Sequence, residues 1–414
     1  MTFVDEVHAA ADALHEVMPS SPLQRAPDMS AKYGAEIWLK REDLNVVRSY
    51  KLRGAYTFFR KALAAEKPAE LFVCASAGNH AQGFAWCCSR LGVEGVIFMP
   101  TTTPGQKVSK TRKFGGASVR VELEGDTFDE CLAAALAYAE EQKAAFVPPF
   151  DAPEIITGQA TVTAEVVQEL GRAPDVMVLP VGGGGLSAGA TSYLQALGAE
   201  TEIICVEPRE AASLKTALEA GGPVALNEIS TFVDGAAVAR IGAYTFDCLK
   251  SLSPESVQLV PENRLCGTIL HLLNEDGLVL EPAGALAIDV LPDIADKIRG
   301  KTVVCVASGG NFDFERLPEV KERALRFQGL KKYYVIRMPQ RPGALKDFLF
   351  MLGPNDDIFR FEYLKKSARN FGSVLIGIDS PTPESFAELQ TKMEQGGIGW
   401  RDITDSEDLA DLLV

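Results

Sequence analysis

From about Leu71 to about Phe312 the chain alternates short apolar runs rich in Val and Ile with longer amphipathic segments. This alternation restricts the fold more than any other feature. Leu71–Ala75, Gly95–Met99, Ala117–Glu122, Asp175–Val181, Thr201–Val206 and Thr302–Ala307 read as buried strands. Phe128–Gln142 and Ile155–Leu170 read as helices. Runs that are apolar throughout belong to strands covered on both faces, so the pattern predicts an α/β architecture with parallel pairing. Small-residue loops follow several of these strands: Ser76–Asn79, Gly182–Gly185 and Ser308–Asn311. Ligands of open α/β sheets lie beyond the carboxyl ends of the strands, which points to one face.

A charged stretch, Lys321–Lys332, has few apolar positions and reads as a joint. After it, Lys332–Met338, Asp357–Lys365, Phe371–Asp379 and Gly399–Ile403 read as strands, with helices at Gly343–Leu352 and Pro383–Gln395. The order β-α-β-β-α-β is that of a ferredoxin-like α+β module. No second copy follows, and no other repeat occurs. The acid-rich stretch Asp402–Asp411 reads as a solvated face.

The charge balance excludes some partners. Lys plus Arg number 41 against 56 for Asp plus Glu, a formal net charge of −15. The basic runs near Lys107–Lys113 and Lys331–Lys332 are short and isolated, so neither nucleic acid nor an anionic membrane is expected to bind. No run of eighteen apolar residues is present to span a bilayer. The first Lys or Arg is Arg25, after Asp5, Glu6 and Glu16, unlike the basic start of a secretory signal. The eight cysteines form no CxxC pair, and none of the four His has ligand spacing to a Cys pair. Reduced thiols in a cytoplasmic protein are therefore expected, with no metal site.

Four segments could carry chemistry. In Arg48–Tyr56, Lys51 stands among Tyr50, Leu52, Ala55 and Tyr56. An amine in apolar surroundings loses its proton more readily, and a neutral amine is what a Schiff base requires. The plainer alternative is a surface lysine opening a helix. Ser76-Ala77-Gly78-Asn79-His80 joins a strand to a helix and offers free backbone N–H groups to an anion, or else is a tight turn with Asn79 as N-cap. Gly182–Gly185 opens a helix after a strand, where four glycines let the backbone wrap a phosphate. Gly183, Gly185 and Ala188 also fit a dinucleotide pattern, and Glu207 lies where a ribose-binding acid would sit, so NAD remains a rival. Ser308, in Ser308–Asn311, offers a hydroxyl to a ring nitrogen.

Taken together, Lys40-Arg41-Glu42-Asp43-Leu44, Ser49–Ala55, Ser76–Gly83 and Gly182–Gly185 resemble the fold-type II pyridoxal-phosphate enzymes. More closely, they resemble biosynthetic threonine dehydratases (threonine ammonia-lyases). The resemblance covers nearly the whole chain. It implies that Lys51 carries pyridoxal 5'-phosphate as a Schiff base and takes the α-proton of the substrate. Tyr50, where relatives often have Phe, flanks it. Asn79 contacts the ring oxygen, Gly182, Gly183, Gly184, Gly185 and Leu186 hold the phosphate, and Ser308 faces the ring nitrogen. Ser76, Ala77, Gly78 and His80 bind the substrate carboxylate.

Residues 1–325 then form the catalytic domain, with a smaller mobile subdomain at about 50–150. Residues 326–414, with Pro339–Leu345 after the first strand, resemble an ACT-like regulatory domain. It takes an amino-acid effector, isoleucine as inhibitor and valine opposing it; longer relatives carry two such units. Relatives assemble as tetramers, so a homotetramer is expected. Glu281, in Glu281–Gly284, lies near the ring in relatives or is simply part of a capping turn. A serine racemase or serine dehydratase shares the same cofactor logic. Ser213, however, stands where the racemase metal site has an acid, and no second base opposite Lys51 is identifiable. A non-catalytic amino-acid sensor is the remaining alternative.

Overall fold

The structure, a computed structural model, describes residues 2–364 and 371–406. Its internal contacts divide the chain into two compact units, Met1–Glu262 with Leu272–Phe312, and Asn263–His271 with Asp313–Val414.

The first unit holds strands β1 Leu23–Arg25, β2 Glu36–Arg41, β3 Leu71–Ala75, β4 Glu94–Met99, β5 Val119–Leu123, β6 Ala145–Phe146, β7 Val176–Pro180, β8 Glu202–Pro208, β9 Val257–Val260 and β10 Thr302–Ala307. They form two sheets. The larger runs β1-β2-β10-β7-β8-β9 and the smaller β5-β4-β3-β6. Every pairing is parallel except β1 with β2. The predicted parallel architecture is therefore present, but the predicted strands are shared between two sheets. Buried Val, Ile, Leu and Cys side chains fill both cores, as both-face coverage requires.

The apolar pattern misses β2, and the reason is physical. Lys40 and Arg41 end it, yet Lys40 is fully buried. Its ammonium lies 2.7 Å from Glu165 Oε2 and donates to Glu169 Oε1 (2.9 Å) and the Ser21 carbonyl (2.6 Å). A buried charge survives only with such partners, and they lie far away in the sequence. Helix Phe128–Gln142, by contrast, begins and ends where the sequence predicts. Thr127 and Glu130 form a capping box that is legible locally. Helix Pro153–Leu170 starts two residues earlier than the pattern suggests, because proline is at home in a first turn.

The second unit contains β11 Lys331–Pro339, β12 Asp357–Leu364, β13 Phe371–Asp379 and β14 Gly399–Asp402, with helices Ala344–Leu349 and Glu384–Gln395. The strands form one antiparallel sheet, β12-β13-β11-β14. This is the predicted β-α-β-β-α-β order. Alternate residues Tyr334, Ile336 and Met338 face a core with Phe348, Val374, Ile376, Ile378 and Phe386. The charged stretch resolves into the end of helix Leu317–Phe327 and the start of β11, where Glu322 accepts from Lys331 Nζ (2.7 Å) and Tyr333 OH (2.9 Å). Lys365, predicted to end the second strand, and residues 407–411 of the acid-rich stretch lie outside the described residues. Among the described residues no helix is long and apolar enough to cross a membrane.

Candidate active site

Lys51 is the first residue of helix Lys51–Leu63. The preceding segment is fixed by the backbone. Tyr50 N–H donates to the Ser308 carbonyl (3.2 Å), Gly310 N–H donates to the Arg48 carbonyl (2.9 Å), and Ser49 bridges to Gly309. The half-buried Lys51 Nζ donates to the Pro149 carbonyl at 2.9 Å. It lies 5.6 Å from the centre of the Tyr50 ring and 5.9 Å from that of Phe150. Among the described residues no carboxylate pairs with it. Burial pulls its pKa down to about 8, against the opposing pull of Glu281. Burial pushes the Tyr50 phenol well above its usual range, so the hydroxyl stays protonated.

The loop after β3 places Ser76, Ala77 and Gly78 before helix Asn79–Leu91. The helix N-cap is Gly78, not Asn79. Asn79 turns its side chain sideways: Nδ2 donates to Glu281 Oε1 (2.5 Å) and Oδ1 accepts from Asn311 Nδ2 (2.8 Å). Ser76 Oγ accepts from Gly78 N–H (3.2 Å), and a Cβ on Gly78 would meet nothing within 4 Å. His80 is buried with Nε2 2.9 Å from the Val147 carbonyl oxygen. Burial, helped by Lys51, pulls its pKa to about 3, so the ring is neutral. What His80 can offer a carboxylate is its backbone N–H, together with that of Asn79 in the same first turn.

Gly182–Gly185 follows β7 and opens helix Gly185–Ala196, with Gly184 at φ +88°. A Cβ on Gly183 would lie 2.1 Å from the Phe150 ring, and one on Gly182 would lie 2.9 Å from the Ala236 backbone. Close packing thus explains more of this glycine run than the sequence suggests. The first N–H groups of the helix, including those of Gly185 and Leu186, have no intrahelical acceptor and form an anion-binding end. Thr245 Oγ1 pins the loop through the Gly183 carbonyl (2.9 Å).

Glu207 does not serve this loop. Its carboxylate accepts from Leu214 N–H (2.7 Å) and Lys215 N–H (3.0 Å) and so caps helix Ser213–Ala220. The NAD reading loses its ribose acid. Among the described residues no group of three His, Cys, Asp or Glu is placed to hold a metal.

Ser308, 3% exposed, directly follows β10, and its Oγ donates weakly to the Ala283 carbonyl (3.3 Å). The four predicted segments converge. Tyr50 joins the Lys51 segment to Ser308, Asn311 joins the Ser308 loop to Asn79, and Phe150 lies against both Lys51 and Gly183. Asn311 was legible only as the end of a loop, and Phe150 gave no signal at all. An unpaired amine, an amide donor, a neutral hydroxyl and a glycine-rich helix start are the donor set that a phosphorylated pyridine aldehyde needs.

Residues 17–309 match the family described as pyridoxal-phosphate dependent enzyme. Residues 322–413 match the C-terminal regulatory domain of threonine dehydratase. The chain is 44% identical over 412 residues to the L-threonine dehydratase biosynthetic IlvA of Bacillus subtilis, covering 99% of this chain and 97% of that one. It is 43% identical over 413 residues to the protein of the same name from Halalkalibacterium halodurans, covering 99% of each. Its fold matches threonine deaminase isoform 2 of Solanum lycopersicum with a TM-score of 0.72 at 38% identity, covering 78% of this chain and 87% of that one.

The chain belongs to the biosynthetic threonine dehydratase family. It is a fold-type II pyridoxal-phosphate-dependent enzyme with a C-terminal regulatory domain. Membership in this family accounts for the Lys51 and Ser308 segments, which an NAD-dependent oxidoreductase leaves without a purpose. A non-catalytic sensor likewise leaves the whole first unit unexplained.

Proposed function

We propose that the protein deaminates L-threonine to 2-oxobutanoate and ammonia, the first step of isoleucine biosynthesis, and accepts L-serine as a second substrate. Bound pyridoxal phosphate supplies the electron sink for this chemistry. Lys51 holds the cofactor and, once released, takes the α-proton as general base. Gly182, Gly183, Gly184, Gly185 and Leu186 hold the phosphate through backbone N–H groups. Asn79 donates to the ring oxygen, and Tyr50 flanks the lysine. Ser76, Ala77, Gly78 and His80 bind the substrate carboxylate, His80 through its backbone.

Ser308 meets the ring nitrogen with a neutral hydroxyl. A hydroxyl does not hold a proton there as a carboxylate would, which favours loss of the β-hydroxyl over transfer of the amino group. Residues 1–325 form the catalytic domain, with a moving subdomain at about 50–150. Residues 326–414 bind isoleucine, which inhibits, or valine, which opposes it. The protein works as a cytoplasmic homotetramer.

The observation that carries this reading is the Lys51 amine: half-buried, without a carboxylate partner, and drawn down to about 8 by burial. Steady-state rates with L-threonine and L-serine, each with and without isoleucine or valine, test it. Turnover of threonine that isoleucine depresses is expected. Absence of threonine turnover sinks the assignment. One methyl group is worth only about 1–3 kcal/mol in a pocket, so serine is expected to react more slowly rather than not at all.

A further inference from the structure

Asn79 is an amide, and an amide helps an oxygen anion only if its NH2 end faces it. A chain of hydrogen bonds in the site settles that orientation. It begins at the Val47 carbonyl, which can only accept. Asn311 Nδ2 donates to it at 2.8 Å, so the NH2 end of Asn311 is fixed. The same nitrogen donates to Asn79 at 2.8 Å, which makes the facing Asn79 atom the acceptor Oδ1. The Asn79 NH2 end therefore points the other way, where its Nδ2 donates to Glu281 Oε1 at 2.5 Å. That nitrogen has a second N–H, and no described residue takes it.

The backbone keeps this chain in place. Glu281 N–H donates to the Gly309 carbonyl (3.2 Å), and the Asn311 backbone N–H donates back to the Glu281 carboxylate. A Cβ on Gly309 would stand 2.3 Å from Glu281 Oε1 and 3.3 Å from Asn79 Nδ2, so only glycine lets the carboxylate reach the amide.

We infer that Glu281 and Asn311 are positioning residues: together they lock the Asn79 amide with its NH2 end as the donor offered to the ring oxygen of the cofactor. The inference rests on the site reading above and deepens it. Neither residue touches the reacting atoms; both act through Asn79.

The test uses holoenzyme carrying Glu281→Met, Glu281→Gln, Asn311→Leu or Asn79→Ala, and the first three combined with Asn79→Ala. Met and Gln share the shape of Glu, but only Gln keeps an acceptor. The readouts are the position of the visible band of the lysine-bound cofactor and the cofactor dissociation constant. Glu281→Met and Asn311→Leu are expected to move the band as Asn79→Ala does. Each should weaken cofactor binding about tenfold, the worth of roughly one charge-assisted hydrogen bond. Neither should add to the Asn79→Ala loss, because the effect passes through that residue. Glu281→Gln should stay within about threefold of the unaltered enzyme.

Should Glu281→Met not fold, Asn311→Leu carries the same comparison from the other end of the amide. A wild-type band in the folded variants, or a loss that adds in full to that of Asn79→Ala, overturns the inference. Failure of the underlying site reading looks different: the unaltered enzyme would show no lysine-bound band, or Lys51→Ala would keep it.

Discussion

Helix Lys51–Leu63 carries two cations two residues apart, Lys51 and Arg53, in surroundings of opposite kind. Arg53 is fully buried and fully paired. Its guanidinium donates to both oxygens of Glu42 (2.8 and 2.9 Å) and both of Glu165 (2.7 and 2.8 Å), and to Thr161 Oγ1 at 3.1 Å. Lys40 adds a second cation against Glu165. Burial works against the Arg53 charge, and the two glutamates outweigh it. Lys51 receives one carbonyl and two aromatic rings, and burial wins. Desolvation alone does not set a charge state. The presence of an opposite charge within reach decides whether a buried cation is structural or reactive.

The largest effect expected from breaking this contrast is at Lys51. Lys51→Ala should lose the cofactor's visible absorbance and lower turnover by about a thousandfold or more, since tethering and proton transfer both disappear. Its thermal midpoint, measured without cofactor, should not fall. At Arg53 the pattern should invert. Glu165→Leu removes one of its two carboxylate partners, the one it shares with Lys40, and breaking that buried network should destabilise the fold by about 3–5 kcal/mol in urea titration.

A smaller effect is expected at Gly184. Its φ of +88° and the Ile241 Cδ1 atom 2.7 Å from a built Cβ disfavour any side chain. Gly184→Ala should cost about 1–2 kcal/mol in the same titration and weaken phosphate binding.

The two regions also titrate in opposite directions. Burial alone would raise the Glu165 pKa, but Arg53 and Lys40 outweigh it, so its folded value lies below the ordinary 4.5. Its share of stability is therefore present above about pH 4.5 and is lost as pH falls below that. Urea midpoints measured from pH 7 down to pH 3 should show the loss, and Glu165→Gln should flatten it. Lys51, held at about 8, becomes neutral as pH rises through that value. The rate of cofactor loading onto apoprotein should rise with pH and level off above about 8. A rate still climbing toward 10.5, the ordinary lysine value, would mean the amine is not desolvated.

The same contrast explains what the sequence could and could not reveal. Features governed by neighbours in the chain were legible. The capping box at Thr127 and Glu130 set one helix to the residue, and the apolar runs marked β3 and β10. Features settled by distant partners were not. Lys40 hid β2, because its carboxylates lie more than a hundred residues away. Asn79 looked like a helix cap and instead belongs to a chain running through Asn311 and Glu281. Glu207 looked like a ligand acid and instead caps a helix. The site loops were visible because glycines and small polar residues mark strand ends. Of the side chains that join those loops, Asn311 showed only as a loop end and Phe150 not at all, because nothing local reveals their distant partners.

Borohydride reduction of the holoenzyme, followed by peptide mapping, tests the central claim most directly. A single reduced pyridoxyl group on the peptide containing Lys51 is predicted. Its appearance on Lys40 or any other lysine, or on none, would contradict the account.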